Sequence, residues 1–350
     1  MNNPLIPEAV RRIGAAAEPS NSSTLAPSGD AVSPGSPDPV AERMPAVMRI
    51  KSLERVTSQN DRILNRAVLF HQRCTICVSW VTQQVDTRLH RYGLVTIQRA
   101  QAARSADGAL RIDRLLPADR PLANVNLFDT VLPEWVKDRE LVSRAAALWE
   151  KLPRSLGHLV NALLWDSGRF HRYVMGPSSI QGHHNAWNGN FRHSIEVAEQ
   201  ARDIGRKSAL VNDALLIAGG LLHDAAKADE YRYDRTRSEF RLSDRGELVG
   251  HRDTLIEWIA VARESGRVVV PDDLYLGLLH VINAVKGAPA WLGLREPRCL
   301  EAEILSMADR RSGQDDVLMR CAPADGQAGF GAYHPHLGRR AYVTRKEAGL

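Results

Sequence analysis

The chain has 350 residues, 44% of them hydrophobic, enough apolar material for one large domain or two ordinary ones with real cores. Lys and Arg number 46 against 41 Asp and Glu, a formal charge of +5 that suits a phosphate-bearing partner without requiring one. No stretch approaches the roughly 18 uninterrupted apolar residues of a membrane helix, the N-terminus lacks a basic-then-apolar secretory signal, and four scattered cysteines exclude a disulfide framework, so a cytoplasmic protein with no membrane partner is expected.

Residues 1 to about 45, including "EPSNSSTLAPSGDAVSPGSPDP", carry too few large apolar side chains to offset the entropy of ordering them, and read as a disordered Pro/Ser/Ala-rich tail. Residues 66–133 read as a small β domain. Ile76, Val78 and Trp80 alternate with polar neighbours, and "YGLVTIQRA" and "ALRIDRLL" flank Asp107-Gly108, a hairpin turn signal. Cys74 and Cys77 form a CxxC, but a zinc ribbon needs a second ligand pair and none is near. Arg91, Arg99, Arg104, Arg111 and Arg114 recur through this region, as on a nucleic-acid-binding β surface or on a solvated strand face. From residue 134 to about 320 the pattern is helical throughout, which predicts an all-α domain. Residues 321–350 read as a basic tail or a short docking segment.

One helical stretch stands out. In "ALLIAGGLLHDAAKADEY" the residues before His223 are almost uniformly apolar, the mark of a helix buried on most sides, and adjacent ionisable groups at its end are costly unless paired or bound to metal. Helical periodicity places Lys227 one turn beyond His223, with Asp224 rotated toward a neighbouring side, so that all three line one cleft. A metal needs further ligands. His193, on a helix whose Phe191, Ile195 and Ala198 face the core, and Asp309, just after an apolar run, complete a set of two imidazoles and two carboxylates. That mixture suits Mn²⁺, Fe²⁺, Zn²⁺ or Co²⁺ better than Ca²⁺. Asp229 and Glu230 read as a solvated helix end.

The order His193, His223-Asp224, Asp309 resembles the H…HD…D signature of the HD-domain metal-dependent phosphohydrolases, and the flanking words are similar to those of the YhaM-type 3′-to-5′ exoribonucleases. The likeness covers residues 175–316 and runs through "HHNAWNGNFRHSIEVAEQA", "GLLHDAAKADEY", Gly250-His251, His280 and Ala308-Asp309; "FRHSIEVA" is also similar to the HD region of MobH-type relaxases of conjugative elements. The resemblance implies a mainly α fold, a helical HD domain preceded by a small β domain placed as an OB domain would be.

It implies a divalent cofactor too (Mn, Fe, Zn or Co, with Mg as a further option) held by His193, His223, Asp224 and Asp309. Asp224, Lys227, His251 and His280 become the catalytic candidates, and His183, His184, Arg192 and Lys286 the candidates for substrate contact. Where the family has "SHHG" this chain has "NAVKG", so the histidines for a second ion are missing, one metal per chain is expected, and Lys286 is a candidate replacement for the lost charge. The expected function is hydrolysis of phosphodiester bonds in single-stranded RNA or DNA. The alternatives are a nucleotide phosphohydrolase, or a non-catalytic nucleic-acid-binding protein of a mobile element whose metal site is structural.

Overall fold

Five strands close into a barrel in the order β1-β2-β3-β5-β4: β1 (Met48–Thr57), β2 (Ile63–His71), β3 (Cys74–Thr82), β4 (Leu94–Arg104) and β5 (Leu110–Pro117). The computed structural model from which this is taken describes residues 44–57, 62–265, 268–323, 327–335 and 337–344. The tail expected over residues 1–45 lies, as far as residue 43, outside the described residues. Neighbouring strands are antiparallel except β3 and β5, which pair in parallel with Val78 opposite Leu110. This is the connectivity of an OB-like barrel.

Alternation drives closure. Ala67 and Leu69 on β2, Val78 and Trp80 on β3, and Leu110, Ile112 and Leu115 on β5 meet inside, while Arg111 and Arg114 stay exposed. Gly108 adopts φ +81° at the turn before β5, a left-handed conformation that favours glycine. The barrel starts well ahead of the expected boundary at residue 66. In β1 the buried Arg49 reads as polar and residues 54–57 are exposed, so the period-two signal is lost.

Arg49 joins the barrel to the helices. Its Nη1 donates to Tyr92 O (2.7 Å) and Ser167 Oγ (3.2 Å), its Nε and Nη2 to Thr130, and its guanidinium lies 4.9 Å from the Trp135 ring centre and 5.0 Å from that of Phe170.

The helical half comprises α1 (Arg139–Trp149), α2 (Arg154–Leu164), α3 (Ser167–Met175), α4 (Gly189–Gly205), α5 (Asp213–Leu222), α6 (Lys227–Glu230), α7 (Asp244–Leu248), α8 (Gly250–Glu264), α9 (Asp272–Asn283) and α10 (Leu300–Cys321). Among the described residues, no helix is long and apolar enough to cross a membrane. Two hairpins are not expected from sequence periodicity: β6 (Tyr231–Asp234) with β7 (Glu239–Leu242), which interrupts the region read as helices alone, and β8 (Gly329–His334) with β9 (Arg339–Val343). The second lies within the segment expected as a basic tail.

α4 packs against both α5 and α10; His193 lies on α4, Asp309 on α10, and His223 and Asp224 follow the end of α5. Asn212 caps α5 by accepting from Ala214 N and Leu215 N. Gly220 lets α5 approach α4: a Cβ there would stand 2.4 Å from Ala198 Cα, so any larger residue would force the two helices apart.

Candidate metal centre

α5 ends at Leu222, and His223 follows as its cap. The stretch through Lys227 is therefore not one continuous helix, as its periodicity suggests. The chain turns over residues 224–226 and restarts as α6, bringing Lys227 Nζ to 2.6 Å from Asp224 Oδ2 rather than beside His223. Because the chain turns, Asp224 and His223 both face α4.

Four ligand-type atoms converge. His193 Nε2 lies 3.3 Å from His223 Nε2, 3.1 Å from Asp309 Oδ1 and 3.5 Å from Asp224 Oδ2; His223 Nε2 lies 3.5 Å from Asp224 Oδ2 and 3.9 Å from Asp309 Oδ1. The tautomers follow from the outer ring atoms. His223 Nδ1 is 2.9 Å from Gly220 O, a carbonyl that can only accept, so Nδ1 holds the proton and Nε2 is bare. Ser312 Oγ donates to Glu196 Oε2 (2.9 Å), so it accepts from His193 Nδ1 (3.0 Å), leaving that Nε2 bare as well.

Two bare imidazole nitrogens and two carboxylate oxygens thus face one another with no proton between them. Four acceptors at this spacing repel unless a cation sits among them, and the mixture of two nitrogens and two oxygens fits a divalent transition ion. His193, His223 and Asp224 already offer their ligand atoms within 4.8 Å of one another.

The electrostatics agree. Burial alone would raise the Asp224 carboxyl, but the Lys227 ammonium holds it well below the usual carboxylate range. His193 is driven the other way, its imidazole kept neutral first by burial and so available as a ligand.

A cavity of about 190 Å³ opens beside the cluster, lined by His183, His223, Asp224, Lys227, His251 and Asp309 among others. His251 Nε2 is 3.4 Å from Asp224 Oδ1, and its Nδ1 donates to Glu230 Oε2 at 2.5 Å. Glu230 is therefore no solvated helix end: it is 8% exposed and holds a histidine of the site. Asp229 instead takes Arg172 Nη2 at 2.5 Å. His183 reaches the cavity with its Nε2 3.2 Å from Ser178 Oγ, and burial, then His193 and Lys227, push its imidazole down to about 4.

Other candidates are not brought in. His280 Nε2 accepts from Arg298 N (2.8 Å), Lys286 pairs with Glu303 (3.4 Å), and Arg192 pairs with Asp138 (3.0 Å). His184 is buried behind His193, its ring 3.3 Å from Ser312 Oγ and its backbone N–H donating to Asp316 Oδ2. A larger cavity of about 630 Å³ lies where the barrel meets α2, α3 and α8, and the metal-type cluster is not part of it.

Ser312 and Glu196 are the residues that motif reading misses. Each lies three positions after a ligand candidate, Asp309 and His193, and so on the same helix face, which is a signal the sequence does carry.

The family model for the HD domain matches residues 190–313. The 3′-5′ exoribonuclease YhaM of Listeria welshimeri is 25% identical over 211 residues, 59% of this chain and 65% of that protein. Its namesakes in Bacillus licheniformis and Bacillus subtilis are each 26% identical, over 42% and 41% of this chain and 46% and 44% of their own length. The chain therefore spans between about two fifths and two thirds of the curated relatives it matches. No solved structure gives a significant match. The segment that brings together α4, α5 and α10 is thus the part of the chain that matches the HD domain family model.

Proposed function

We propose that this protein is a metal-dependent phosphohydrolase that removes nucleotides from the 3′ end of single-stranded nucleic acid. The observation that carries the reading is the convergence of His193 Nε2, His223 Nε2, Asp224 Oδ2 and Asp309 Oδ1, none of the four bearing a proton and only Asp224 Oδ2 met by a donor, Lys227 Nζ. A divalent ion held by these four residues would polarise a phosphoryl oxygen and make water nucleophilic at neutral pH.

The remaining roles fall to this chain's own groups. Lys227 fixes the Asp224 carboxylate and presents its positive charge to the cavity, where charge develops on the phosphate. His251, oriented by Glu230, stands where it can hand a proton to the leaving oxygen. Ser312 and Glu196 set the His193 tautomer. The exposed arginines of the OB-like barrel supply a surface for the rest of the strand. The relatives named as 3′-5′ exoribonucleases support the choice of a nucleic-acid end as substrate.

The test compares wild type with Asp224→Ala in two readouts: Mn²⁺ bound per chain by calorimetry, and digestion of 3′-tailed single-stranded RNA and DNA. One ion per wild-type chain, stepwise shortening from the 3′ end, and loss of both in the variant are expected. Metal binding with no shortening of either polymer, but release of phosphate from free nucleotides, would sink the nucleic-acid reading in favour of a nucleotide phosphohydrolase.

A further inference from the structure

Immediately after Glu230 the chain runs into the β6–β7 hairpin, whose tip carries an unusual surface. Tyr233 and Phe240 are cross-strand partners, so their rings share one face, 5.1 Å apart between centres. Trp187, from the segment between α3 and α4, joins them, its ring 4.7 Å from Tyr233 and 4.8 Å from Phe240. These rings are not sealed in a core: Trp187 is 48% and Tyr233 38% exposed. Exposed aromatic faces held against one another leave apolar surface in water that a partner would cover.

The other side of the hairpin is basic. Arg232 and Arg241 stand directly opposite each other in the strand register, a like-charge pair that costs stability by itself. Arg235 and Arg237 lie in the turn, so the hairpin carries four arginines against Asp234 and Glu239. Asp234 lies 3.5 Å from Arg241 and Glu239 lies 3.8 Å from Arg237, both loose surface pairs. Rings with open faces beside surplus arginines match the two halves of a nucleotide, a flat base and an anionic phosphate.

Position ties this surface to the metal cavity. Tyr233 is three residues beyond Glu230, which holds His251 at the cavity, and three residues span at most about 10 Å. Trp187 is four residues beyond His183, which lines the same cavity. We propose that Trp187, Tyr233 and Phe240 form a stacking platform for the bases of a single-stranded nucleic acid whose end lies in the metal cavity, with Arg232, Arg235, Arg237 and Arg241 meeting its phosphates. A duplex hides its base faces, so the platform takes a single strand. The identity of the occupant rests on the function proposed above.

The experiment uses the full chain in EDTA, so that no digestion occurs, and measures binding of a 5′-labelled oligothymidylate and of the same oligomer with abasic residues near its 3′ end. Wild type should bind the abasic oligomer about tenfold more weakly, the cost of losing one or two stacked bases. Trp187→Ala/Tyr233→Ala should bind the intact oligomer more weakly by a similar factor and no longer distinguish the two. Trp187→Phe/Tyr233→Phe, which keeps the ring faces, should retain the distinction. Mn²⁺ bound per chain, measured separately, reports that the helical core of each variant is intact.

An Ala variant that keeps wild-type affinity and the abasic penalty overturns the platform, as does one that weakens both oligomers equally while still discriminating between them. Failure of the wild type to bind either oligomer in a salt-dependent way overturns the nucleic-acid reading itself.

Discussion

Two of the places where this molecule buries charge do so in opposite ways. Where the barrel meets the helices, the Arg49 guanidinium is fully buried and its donors are met by Tyr92 O, Thr130 O, Thr130 Oγ1 and Ser167 Oγ and by the faces of Trp135 and Phe170. Burial lowers its pKa to about 9, yet the site is complete in itself. At the candidate metal centre the balance is reversed: acceptors outnumber donors, and His193, His223, Asp224 and Asp309 satisfy one another poorly. A buried charge that finds all its partners within the chain serves the fold, while one that lacks them points to something the chain binds.

That contrast breaks first at Arg49. Replacing it with Met leaves the buried carbonyls of Tyr92 and Thr130 without their donors, at a cost of about 3 kcal/mol. The urea unfolding midpoint should fall accordingly while Mn²⁺ affinity of the folded protein stays within a factor of a few. Equal stability of Arg49→Met and wild type would show that removing the buried cation compensates for the abandoned carbonyls, and that the seam does not depend on it.

Ser312→Ala attacks the other side of the comparison. It removes the acceptor that fixes the His193 Nδ1 proton but no ligand, so Mn²⁺ affinity should drop by about 10- to 100-fold. The unfolding midpoint of the metal-free protein should move far less than in Arg49→Met. Unchanged affinity would mean that His193 finds its tautomer without Ser312, and the orientation argument built on Glu196 and Ser312 would fail.

Legibility differs between the same two places. The cluster of His193, His223, Asp224 and Asp309 is legible in sequence because each residue stands at a fixed point in an ordered motif, with apolar helix residues around it. Gly220, which brings α5 against α4, lay within the quoted words without its purpose being visible. Arg49 could not be found from sequence: an arginine in an amphipathic strand reads as solvent-facing, and only the closed barrel shows that its partners lie 43 to 118 residues away.

Glu230 was misread for a related reason. Helix-end acids are commonly solvated, and its partner His251 arrives only after the β6–β7 hairpin, an element whose four-residue strands give too short a pattern to detect. His280, Lys286 and Arg192 share the converse fault: they occupy motif-like positions, but local partners hold their side chains elsewhere.

The smallest expected effect tests whether the seam is complete with respect to protons as well. His171 stacks on Tyr92 with ring centres 5.9 Å apart and meets the edge of Trp135 at 4.9 Å. Burial, helped by Arg172 and Arg49, lowers its pKa from 6.5 to about 4. The folded state therefore keeps this imidazole neutral while the unfolded chain takes up a proton as pH falls below 6.5. Its contribution is fully present above that value, is lost progressively toward pH 4 and levels off below it. Between pH 7.5 and 5 the loss is on the order of 1–2 kcal/mol, allowing for partial exposure of the ring.

His171→Phe keeps the stack and removes the proton site. The difference in stability between wild type and variant should accordingly shift by that amount in favour of the variant as pH drops from 7.5 to 5. His71 supplies a parallel loss in both proteins, since burial and Arg73 also lower its pKa to about 4, and so it cancels in the difference. A difference independent of pH would mean that the seam admits a protonated His171 beside Arg49, and that it is less closed to charge than the completeness of the Arg49 contacts implies.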